Sequence, residues 1–242
     1  ELCYDEDREQ FVTRTSPKQA LCSSESFSNT RILKSLLKQE DIPDWVTYPE
    51  VLDALRRSYP PRSQQGLTLF FTGFSGSGKS TLARIIYAKF IEEGKRPVTL
   101  LDGDVVRLNL SSELGFSKKD RNTNVRRIGY VASEITKNRG IAICAPIAPY
   151  KEIRREVRQK IEEYGAFIEI HVSTSIEECE SRDRKGLYAK ARKGIIPEFT
   201  GISDPYDVPE NPEIRIDTQH MSPMQAAQEI YLYLIREGYI GQ

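Results

Sequence analysis

A glycine-rich segment that follows an apolar run constrains the fold of this 242-residue chain more than any other feature. Residues 67–72 (LTLFFT) are almost continuously apolar, which is typical of a strand buried on both faces. The residues that follow match G-x-x-x-x-G-K-[ST] and open a predicted helix: Gly73-Phe74-Ser75-Gly76-Ser77-Gly78-Lys79-Ser80. In such a unit the glycines let backbone N–H groups face an anion, and the helix N-terminus adds its dipole. The segment predicts a phosphate-binding loop in which Lys79 reaches the terminal phosphates of a nucleotide and Ser80 ligates Mg²⁺.

Strands and helices alternate through the rest of residues 66–242. Apolar runs predict further strands at 98–101, 141–145, 167–172 and 214–217, and apolar periodicity predicts helices that include 124–138 and 152–163. This alternation is typical of a parallel sheet with helices on both faces, so we expect an α/β fold with a five-stranded parallel sheet.

One long connection interrupts this alternation. Residues 183–212 are rich in Gly, Pro, Lys and Arg and carry no strand pattern. A connection of that length inside an α/β domain is usually functional, so we interpret it as a mobile lid over an active site. A solvated surface excursion is the alternative.

The first 65 residues have a different organisation. Helices are predicted at 29–39 and 49–58 behind an irregular start, and the segment ends in a proline-rich linker at 59–65. We therefore expect two parts, a small helical N-terminal segment at 1–65 and an α/β domain at 66–242.

Composition excludes several classes of function. Lys plus Arg and Asp plus Glu number 35 each, so the chain has no excess positive charge for wrapping nucleic acid. No apolar run reaches the roughly 18 residues of a membrane span. The four cysteines show no CxxC pair, which disfavours a zinc site or disulfides and favours a reducing, cytoplasmic compartment.

A phosphate-binding loop alone does not distinguish kinases from GTPases and motor ATPases. The Asn-Lys-x-Asp segment of GTPases and the Asp-Glu strand end of motors are both missing. Instead, Asp102, Asp104 and Arg107 follow the second predicted strand, where open parallel sheets bind ligands. Asp-Gly-Asp is also a common turn, so this cluster has a purely structural alternative.

A third cluster contains Phe116, Ser117, Arg121 and Asn124. Ser117 has the character of a helix cap, and Arg121 and Asn124 lie one turn apart on the helix that follows. An exposed Phe beside an Arg and an Asn suits a stacked purine whose phosphate or sulfate is held by the cation. The alternative is a hydrophobic staple with surface charges.

Together these segments resemble the adenylylsulfate (APS) kinases over about residues 66–240. The matching stretches are GFSGSGKST (73–81), LDGDVVR (101–107), LGFSKKDR (114–121), NVRRIGYVA (124–132), APIAPYKEIR (145–154), RDRKGLYAKARKG (182–194) and EFTGISDPYDVPENPE (198–213). The resemblance implies a P-loop kinase fold. It also implies transfer of the γ-phosphoryl group of ATP to the 3′-hydroxyl of APS, which gives PAPS and ADP.

The resemblance also implies roles for individual residues. Asp104 is the candidate base, Lys79 assists catalysis, and Asp102 with Ser80 orders Mg²⁺. The residues expected to bind ATP are Gly73, Ser75, Gly76, Ser77, Gly78, Lys79, Ser80, Thr81 and, at the adenine, Gln219. Those expected to bind APS are Asp104, Arg107, Phe116, Arg121, Asn124, backbone at Ile147 and Ala148, Lys185 and Phe199, with Phe116 and Phe199 enclosing the adenine.

One position departs from the family. Its members commonly have Ile-Ser-Pro-Tyr where this chain has Ile147-Ala148-Pro149-Tyr150. The missing serine disfavours a phosphoserine route and favours direct in-line transfer.

The N-terminal segment resembles the C-terminal end of ATP sulfurylase, as found in fused sulfurylase–kinase enzymes. The resemblance rests on residues 28–33 and 42–51, and the sulfurylase's own catalytic signatures are missing, so this segment is expected to be catalytically silent. As partners we expect APS, a second copy of the chain, and an ATP sulfurylase fused to it or associated with it. A kinase for another alcohol and a regulatory module that binds APS or PAPS without turnover are the alternatives.

Overall fold

The computed structural model of the protein describes residues 2–5, 10–13, 29–38, 40–43 and 45–241. The chain divides into two compact units, Glu1–Arg62 and Ser63–Gln242. None of the described helices combines the length and the apolar composition that a bilayer crossing needs.

In the described part of the first unit there are two strands and two helices. Strands β1 (Leu2–Asp5) and β2 (Gln10–Thr13) pair antiparallel, and helices α1 (Asn29–Lys38) and α2 (Pro49–Ser58) follow. The prediction of an irregular start was wrong for β1 and β2, because four-residue strands are too short to show an alternating pattern. Of the predicted motifs in this unit, Ser28, Gln39 and Asp44 lie outside the described residues.

The second unit is built on a five-stranded parallel sheet, as predicted. Its strand order is β4-β5-β3-β6-β7, with every neighbouring pair parallel. The strands are β3 (Gly66–Thr72), β4 (Val98–Asp102), β5 (Ile141–Ala145), β6 (Gly165–Val172) and β7 (Ile214–Ile216). Strand β3 lies at the centre, so the loop that follows it opens at the middle of the sheet's carboxyl edge.

Helices cover both faces of this sheet. The helices of this unit are α3 (Lys79–Glu93), α4 (Gly103–Leu110), α5 (Lys118–Lys137), α6 (Lys151–Glu162), α7 (Ile176–Arg182), α8 (Leu187–Arg192) and α9 (Pro223–Arg236). Successive residues of β3 point to opposite faces. Leu69 and Phe71 therefore join one apolar cluster with α3 and α9, whereas Phe70 joins another with α5 and α6.

One helix begins at its predicted cap, and another lies where none was predicted. Helix α5 begins at Lys118, directly after Ser117, whose hydroxyl caps it as predicted by accepting the N–H of Asp120 at 3.2 Å. Helix α8 lies inside the segment 183–212, where no helix was predicted. That segment contributes Tyr188, Ala191 and Phe199 to a small apolar cluster with Cys179 of α7.

Candidate active site

The loop between β3 and α3 has the backbone geometry of a phosphate cradle. Gly73 has φ +145°, and a Cβ there would lie 2.5 Å from the carbonyl oxygen of Val172, so no other residue fits without a shift. Gly76 and Gly78 have φ +79° and +104°, which also favours glycine. The glycines thus permit a tight turn between β3 and α3.

Lys79, the first residue of α3, is folded back into this loop. Its Nζ donates to the carbonyl oxygens of Gly73 at 2.9 Å and Phe74 at 2.6 Å. The side chain is buried, and burial lowers the pKa of Lys79 to about 8. Burial in the loop therefore disfavours the charged form of Lys79, and an anion that entered the loop would stabilise that form.

The remaining loop residues differ in exposure. Ser77 is buried and its Oγ has no hydrogen-bond partner in the described chain, whereas Ser75 and Ser80 are half-buried and Thr81 is exposed. Gln219 is exposed beyond β7 and donates its backbone N–H to Asp217. Its neighbour Thr218 donates its hydroxyl to the carbonyl of Ser77 at 2.9 Å, which brings the segment after β7 against the loop.

The two carboxylates that follow β4 have opposite environments. Asp102 is buried and caps α4, its Oδ1 accepting the N–H of Asp104 at 3.1 Å. Asp104 itself is exposed, with 75% of its side chain accessible, and forms an ion pair with Lys185 of the segment 183–212, called the lid segment from here on. Sequence reasoning missed the Arg84 guanidinium, which lies 3.7 Å from Asp102 Oδ2.

Asp102 also carries an unused acceptor. Among the described residues, its Oδ2 has no hydrogen-bond partner although it is buried. A buried carboxylate oxygen and the hydroxyl of Ser80 are hard oxygen donors of the type that Mg²⁺ prefers, and Mg²⁺ commonly keeps several waters. The residues present thus fit such an ion, although no group of three or more His, Cys, Asp or Glu in the described chain forms a metal cluster.

Arg107 and Phe116 form a stacked pair. The Arg107 guanidinium lies 4.5 Å from the centre of the Phe116 ring and donates to the carbonyls of Leu114 and Gly115 at 3.0 and 2.9 Å. Phe116 is 56% exposed. One face of an aromatic ring beside a cation is thus presented to solvent next to the α4–α5 loop.

Arg121 connects this aromatic residue to the lid segment. Its Nε donates to the carbonyl of Phe116 at 2.6 Å, and its other nitrogens donate to the carbonyl of Glu198 and the hydroxyl of Thr200. Phe199, between those two residues, is buried edge-to-face against Tyr188 with ring centres 5.0 Å apart. Arg121 therefore joins the segment that contains Phe116 to the segment that contains Phe199. The Phe116 ring packs against Arg107, and the Phe199 ring packs against Tyr188.

Asn124 lies one turn further along α5. It is buried, and its Oδ1 accepts no hydrogen bond from any described residue. A buried amide oxygen without a donor is costly, so this atom is suited to receive an N–H or O–H from a ligand.

The loop after β5 lies directly beside the phosphate-binding loop. The carbonyl of Ile147 accepts the Thr72 hydroxyl at 2.7 Å and the N–H of Gly73 at 3.4 Å. Ala148 is buried with φ +46°, an uncommon conformation for a residue with a Cβ. Arg154 of α6 donates to the Ala148 carbonyl at 2.8 Å.

Sequence reasoning missed the residues that hold this backbone in place. Arg154 supports the loop after β5, and Thr218 contacts the phosphate-binding loop. Tyr188 of α8 donates its hydroxyl to the carbonyl of Ser75 at 2.8 Å. Tyr188 and Thr218 act across 113 and 141 residues, so no local spacing could have indicated them. Arg154 lies only six residues from Ala148, and it falls, like Tyr188, within the family-like stretches.

The fold and this site define a class of protein. A central parallel strand runs through a glycine-rich loop into a helix whose first lysine folds back on the loop, which is the architecture of P-loop kinases. The sequence model of adenylylsulphate kinase matches residues 65–217, and the chain belongs to this family.

Curated relatives are longer proteins. A sulfate adenylyltransferase of Phaeosphaeria nodorum is 46% identical over 89% of this chain, which covers 38% of that protein. One of Coccidioides immitis is 42% identical over 99% of this chain and 42% of that protein. The chain therefore spans about two fifths of the length of the relatives that it matches.

Two solved structures are similar. A hexameric APS kinase from Thiobacillus denitrificans has a TM-score of 0.71 and 46% identity, over 100% of this chain and 43% of that one. The APS kinase of Mycobacterium tuberculosis, in complex with AMPPNP and APS, has a TM-score of 0.67 and 40% identity, over 70% of this chain and 98% of that one.

Proposed function

We propose that the chain transfers the γ-phosphoryl group of ATP to the 3′-hydroxyl of APS, producing PAPS and ADP. The observation that carries this proposal is the buried Lys79 inside the glycine-rich loop, at the sheet edge where the Asp104–Lys185 pair also lies. The family membership of the chain and the APS-bound relative support the choice of acceptor.

The nucleotide half of the reaction is assigned to the loop. Backbone N–H groups of Gly76 and Gly78 and the ammonium of Lys79 hold the phosphates of ATP, with Gly73, Ser75, Ser77, Ser80 and Thr81 completing the binding segment. Gln219 lies beside the adenine. Positioning and charge neutralisation are the main contributions that a protein makes to phosphoryl transfer.

A magnesium ion would be held by Ser80, with Asp102 ordering its water shell. When bound, it would neutralise charge on the phosphates of ATP. Asp102 Oδ2 is suited to this second role because it is buried and lacks a hydrogen-bond partner among the described residues.

The acceptor half is assigned to α4, α5 and the lid segment. Arg107, Arg121 and Asn124 hold the phosphosulfate and ribose of APS, the backbone at Ile147 and Ala148 and the lid residue Lys185 contact the same nucleotide, and Phe116 and Phe199 enclose its adenine. Their support is a cation stacked on an exposed ring and an unpartnered amide oxygen one turn away. A purine with an anionic tail satisfies both.

Asp104 is proposed as the group that orients the 3′-hydroxyl and accepts its proton. In the transfer, the bond between the γ-phosphorus and the oxygen that bridges it to ADP breaks, and a bond to the 3′-oxygen forms. The hydroxyl proton passes to Asp104, and the electron pair of the broken bond leaves on ADP. Asp104 is exposed and forms an ion pair with Lys185, so its carboxylate lies at the surface that the acceptor would approach. Direct transfer needs no covalent enzyme intermediate, which agrees with Ala148 at the position where a serine is common.

A regulatory module that binds APS or PAPS without turnover is the second candidate. The observation that favours it is Ala148 in place of that serine, while the intact loop and Lys79 weigh against it.

The relatives and the cysteines support proposals about context. We propose that an ATP sulfurylase is fused to or associated with this kinase, because the matching curated proteins are sulfate adenylyltransferases of more than twice its length. Self-association is proposed from the hexameric relative. A cytoplasmic location is proposed because Cys144 and Cys179 are free, buried thiols.

The test is release of ADP from Mg-ATP with and without APS, with the nucleotide product identified by mass. APS-dependent ADP together with PAPS supports the kinase. Tight APS binding without ADP supports the regulatory module, and Ala148→Ser is then the next variant. No binding and no turnover would contradict both proposals.

Asp104→Asn tests the proposed base. We expect a loss of about 100-fold or more in kcat, the usual range for general base catalysis. The matched control is Glu180→Gln, which breaks another ion pair of the lid segment, 2.8 Å from Arg192. A loss below about tenfold for Asp104→Asn would count against this role, since tenfold corresponds to about 1.4 kcal/mol of barrier.

A further inference from the structure

Two hydroxyl groups from outside the phosphate-binding loop lie within 3 Å of backbone carbonyls inside it, and a third, that of Thr174, lies 3.4 Å from the Ser77 carbonyl. Tyr188 of α8 donates to the carbonyl oxygen of Ser75 at 2.8 Å, and Thr218 after β7 donates to that of Ser77 at 2.9 Å. The two contacts come from separate segments of the chain and act on alternate peptide groups of the loop. Neither residue belongs to the G-x-x-x-x-G-K-[ST] pattern.

The carbonyl of one peptide group determines where the next N–H points. A trans peptide is planar, so the C=O and the N–H of the same group point in opposite directions, and the described chain contains no cis peptide. Drawing the Ser75 carbonyl toward Tyr188 therefore turns the N–H of Gly76 away from Tyr188. In the same way, the bond from Thr218 to Ser77 sets the direction of the N–H of Gly78.

This control matters because the residues concerned are glycines. Gly76 and Gly78 have φ +79° and +104° and no Cβ to restrict them, so their flanking peptide groups rotate more easily than those of other residues. N–H groups of such a loop are the donors that bind phosphate oxygens, and donors held in advance lose less entropy on binding. Lys79 holds the carbonyls of Gly73 and Phe74, whereas the carbonyls of Ser75 and Ser77 are held from outside the loop.

Both hydroxyls are themselves fixed. Tyr188 is 1% exposed and its ring packs edge-to-face on Phe199, within the cluster that contains Cys179. The Thr218 N–H donates to the Thr174 hydroxyl at 3.1 Å, and the Thr218 hydroxyl accepts a hydrogen bond from the Arg182 guanidinium at 2.8 Å. Each group is therefore anchored on elements other than the loop.

We propose that Tyr188 and Thr218 are positioning residues of the phosphate-binding loop, which orient the N–H groups of Gly76 and Gly78 toward the phosphates of the nucleotide. The proposal rests on the proposed function insofar as the ligand is ATP or ADP. It adds that α8 of the lid segment and the segment after β7 contribute to nucleotide affinity without contacting the nucleotide through these hydroxyls.

The test measures ADP binding by calorimetry for Tyr188→Phe and Thr218→Val, each of which removes a hydroxyl and preserves most of the side-chain shape. We expect each to weaken ADP binding by about 3- to 10-fold, the range for one net hydrogen bond. The KM for ATP is expected to rise in parallel, and the KM for APS to stay within about twofold.

Two controls separate positioning from general damage. Tyr231→Phe removes a comparable tyrosine hydroxyl, which donates to Glu93 at the far end of α3, and should leave ADP binding unchanged. Thr218→Ser keeps the donor and should restore binding that Thr218→Val loses. Melting temperatures of the variants are recorded alongside.

The outcomes are distinct. If the unaltered protein binds ADP and both variants bind it equally well, the positioning role is wrong while the proposed function stands. If Thr218→Ser loses as much affinity as Thr218→Val, the effect is not that of the hydroxyl and the proposal fails. If the unaltered protein does not bind ADP, the proposed function itself fails, and with it the nucleotide that this inference requires.

Discussion

Replacement of Arg154 is expected to damage both stability and the acceptor site. Its Nε lies 2.9 Å from Glu169, and both side chains are about 90% buried or more, at 5% and 11% exposed. The other nitrogens donate to three backbone carbonyls, those of Ala148 at 2.8 Å, Pro149 at 3.1 Å and Asp207 at 2.6 Å. The Arg154 side chain thus joins α6 and β6 to the loop after β5 and to Asp207 of the lid segment.

The magnitude for Arg154→Gln follows from the charge that it leaves behind. Removing one partner of a buried ion pair typically costs about 3–5 kcal/mol of unfolding free energy. The lower end applies here, because Arg158 remains 3.4 Å from the other oxygen of Glu169. A loss of about 3 kcal/mol corresponds to a fall in Tm of roughly 6–12 °C for a chain of this size.

The assay is urea unfolding of Arg154→Gln, Glu169→Gln and the double variant, completed as a double-mutant cycle. Because the double variant removes both charges, it should be more stable than the sum of the single losses predicts, by about 1 kcal/mol or more. Arg158→Gln is the matched control. It also lies near Glu169, but its side chain is 23% exposed and its hydrogen bonds go to Glu162, Glu169 and Glu213, with none to the Ala148 loop. It should cost about 1 kcal/mol.

Kinetics separate the role in the site from the role in stability. At a temperature where all variants are folded, Arg154→Gln should raise the KM for APS several-fold, because the backbone at Ala148 is no longer held. Arg158→Gln should change the KM for APS by no more than about twofold. Equal stability losses for the two arginine variants, or an additive cycle, would refute the reasoning from the buried pair.

Three further predictions concern Lys79, His171 and the contact between α5 and α6. Burial lowers the pKa of Lys79 to about 8, and bound phosphates favour its charged form. ADP affinity, measured by calorimetry, should therefore fall up to about tenfold per pH unit above pH 8. Lys79→Met should abolish this dependence, and a flat profile in the unaltered protein would contradict it. Burial also lowers the pKa of His171 to about 4. The free energy of unfolding should therefore fall by up to about 1.4 kcal/mol per pH unit as the pH drops from about 6.5 toward 4. Urea unfolding of His171→Gln should show a smaller slope. In Gly129→Ala the new Cβ would lie 2.6 Å from Val157 Cγ2. We therefore expect the free energy of unfolding to fall by about 1–3 kcal/mol, and Val157→Ala to reverse part of this loss. A Gly129→Ala variant of unchanged stability would show that α6 can shift.

The fold could be predicted where its signals are local. The apolar run of β3, the loop and the start of α3 are contiguous, and β5 was predicted with the bounds that the structure shows, 141–145. Short elements were harder to predict. Strands β1 and β2 have four residues each, and α8 has six, which is less than two turns of apolar periodicity. Strand β7 is the exception, because it was predicted at 214–217 and spans Ile214–Ile216.

The site divides in the same way. Asp102 and Asp104 could be selected because they directly follow a predicted strand, and Lys79 because it belongs to a recognised pattern. The pairing of Asp104 with Lys185 could not be predicted, although the family resemblance named both residues, since Lys185 lies 81 residues from Asp104 and is brought there only by the tertiary path of the lid segment. Arg84 beside Asp102 was missed for the same reason: its approach depends on how α3 packs against β4.

Arg121 can combine the predicted role of anion ligand with the structural role that its contacts show. It was selected as an anion ligand, yet the structure uses it to join Phe116 to Glu198 and Thr200. A guanidinium carries five N–H donors, and these contacts engage one on each of its three nitrogens, which leaves one on each terminal nitrogen. We therefore expect Arg121 to bind the anionic end of APS without releasing the lid segment. Because it is also buried, any such anion would be bound at low dielectric, where its charge and the position of the lid segment are strongly coupled.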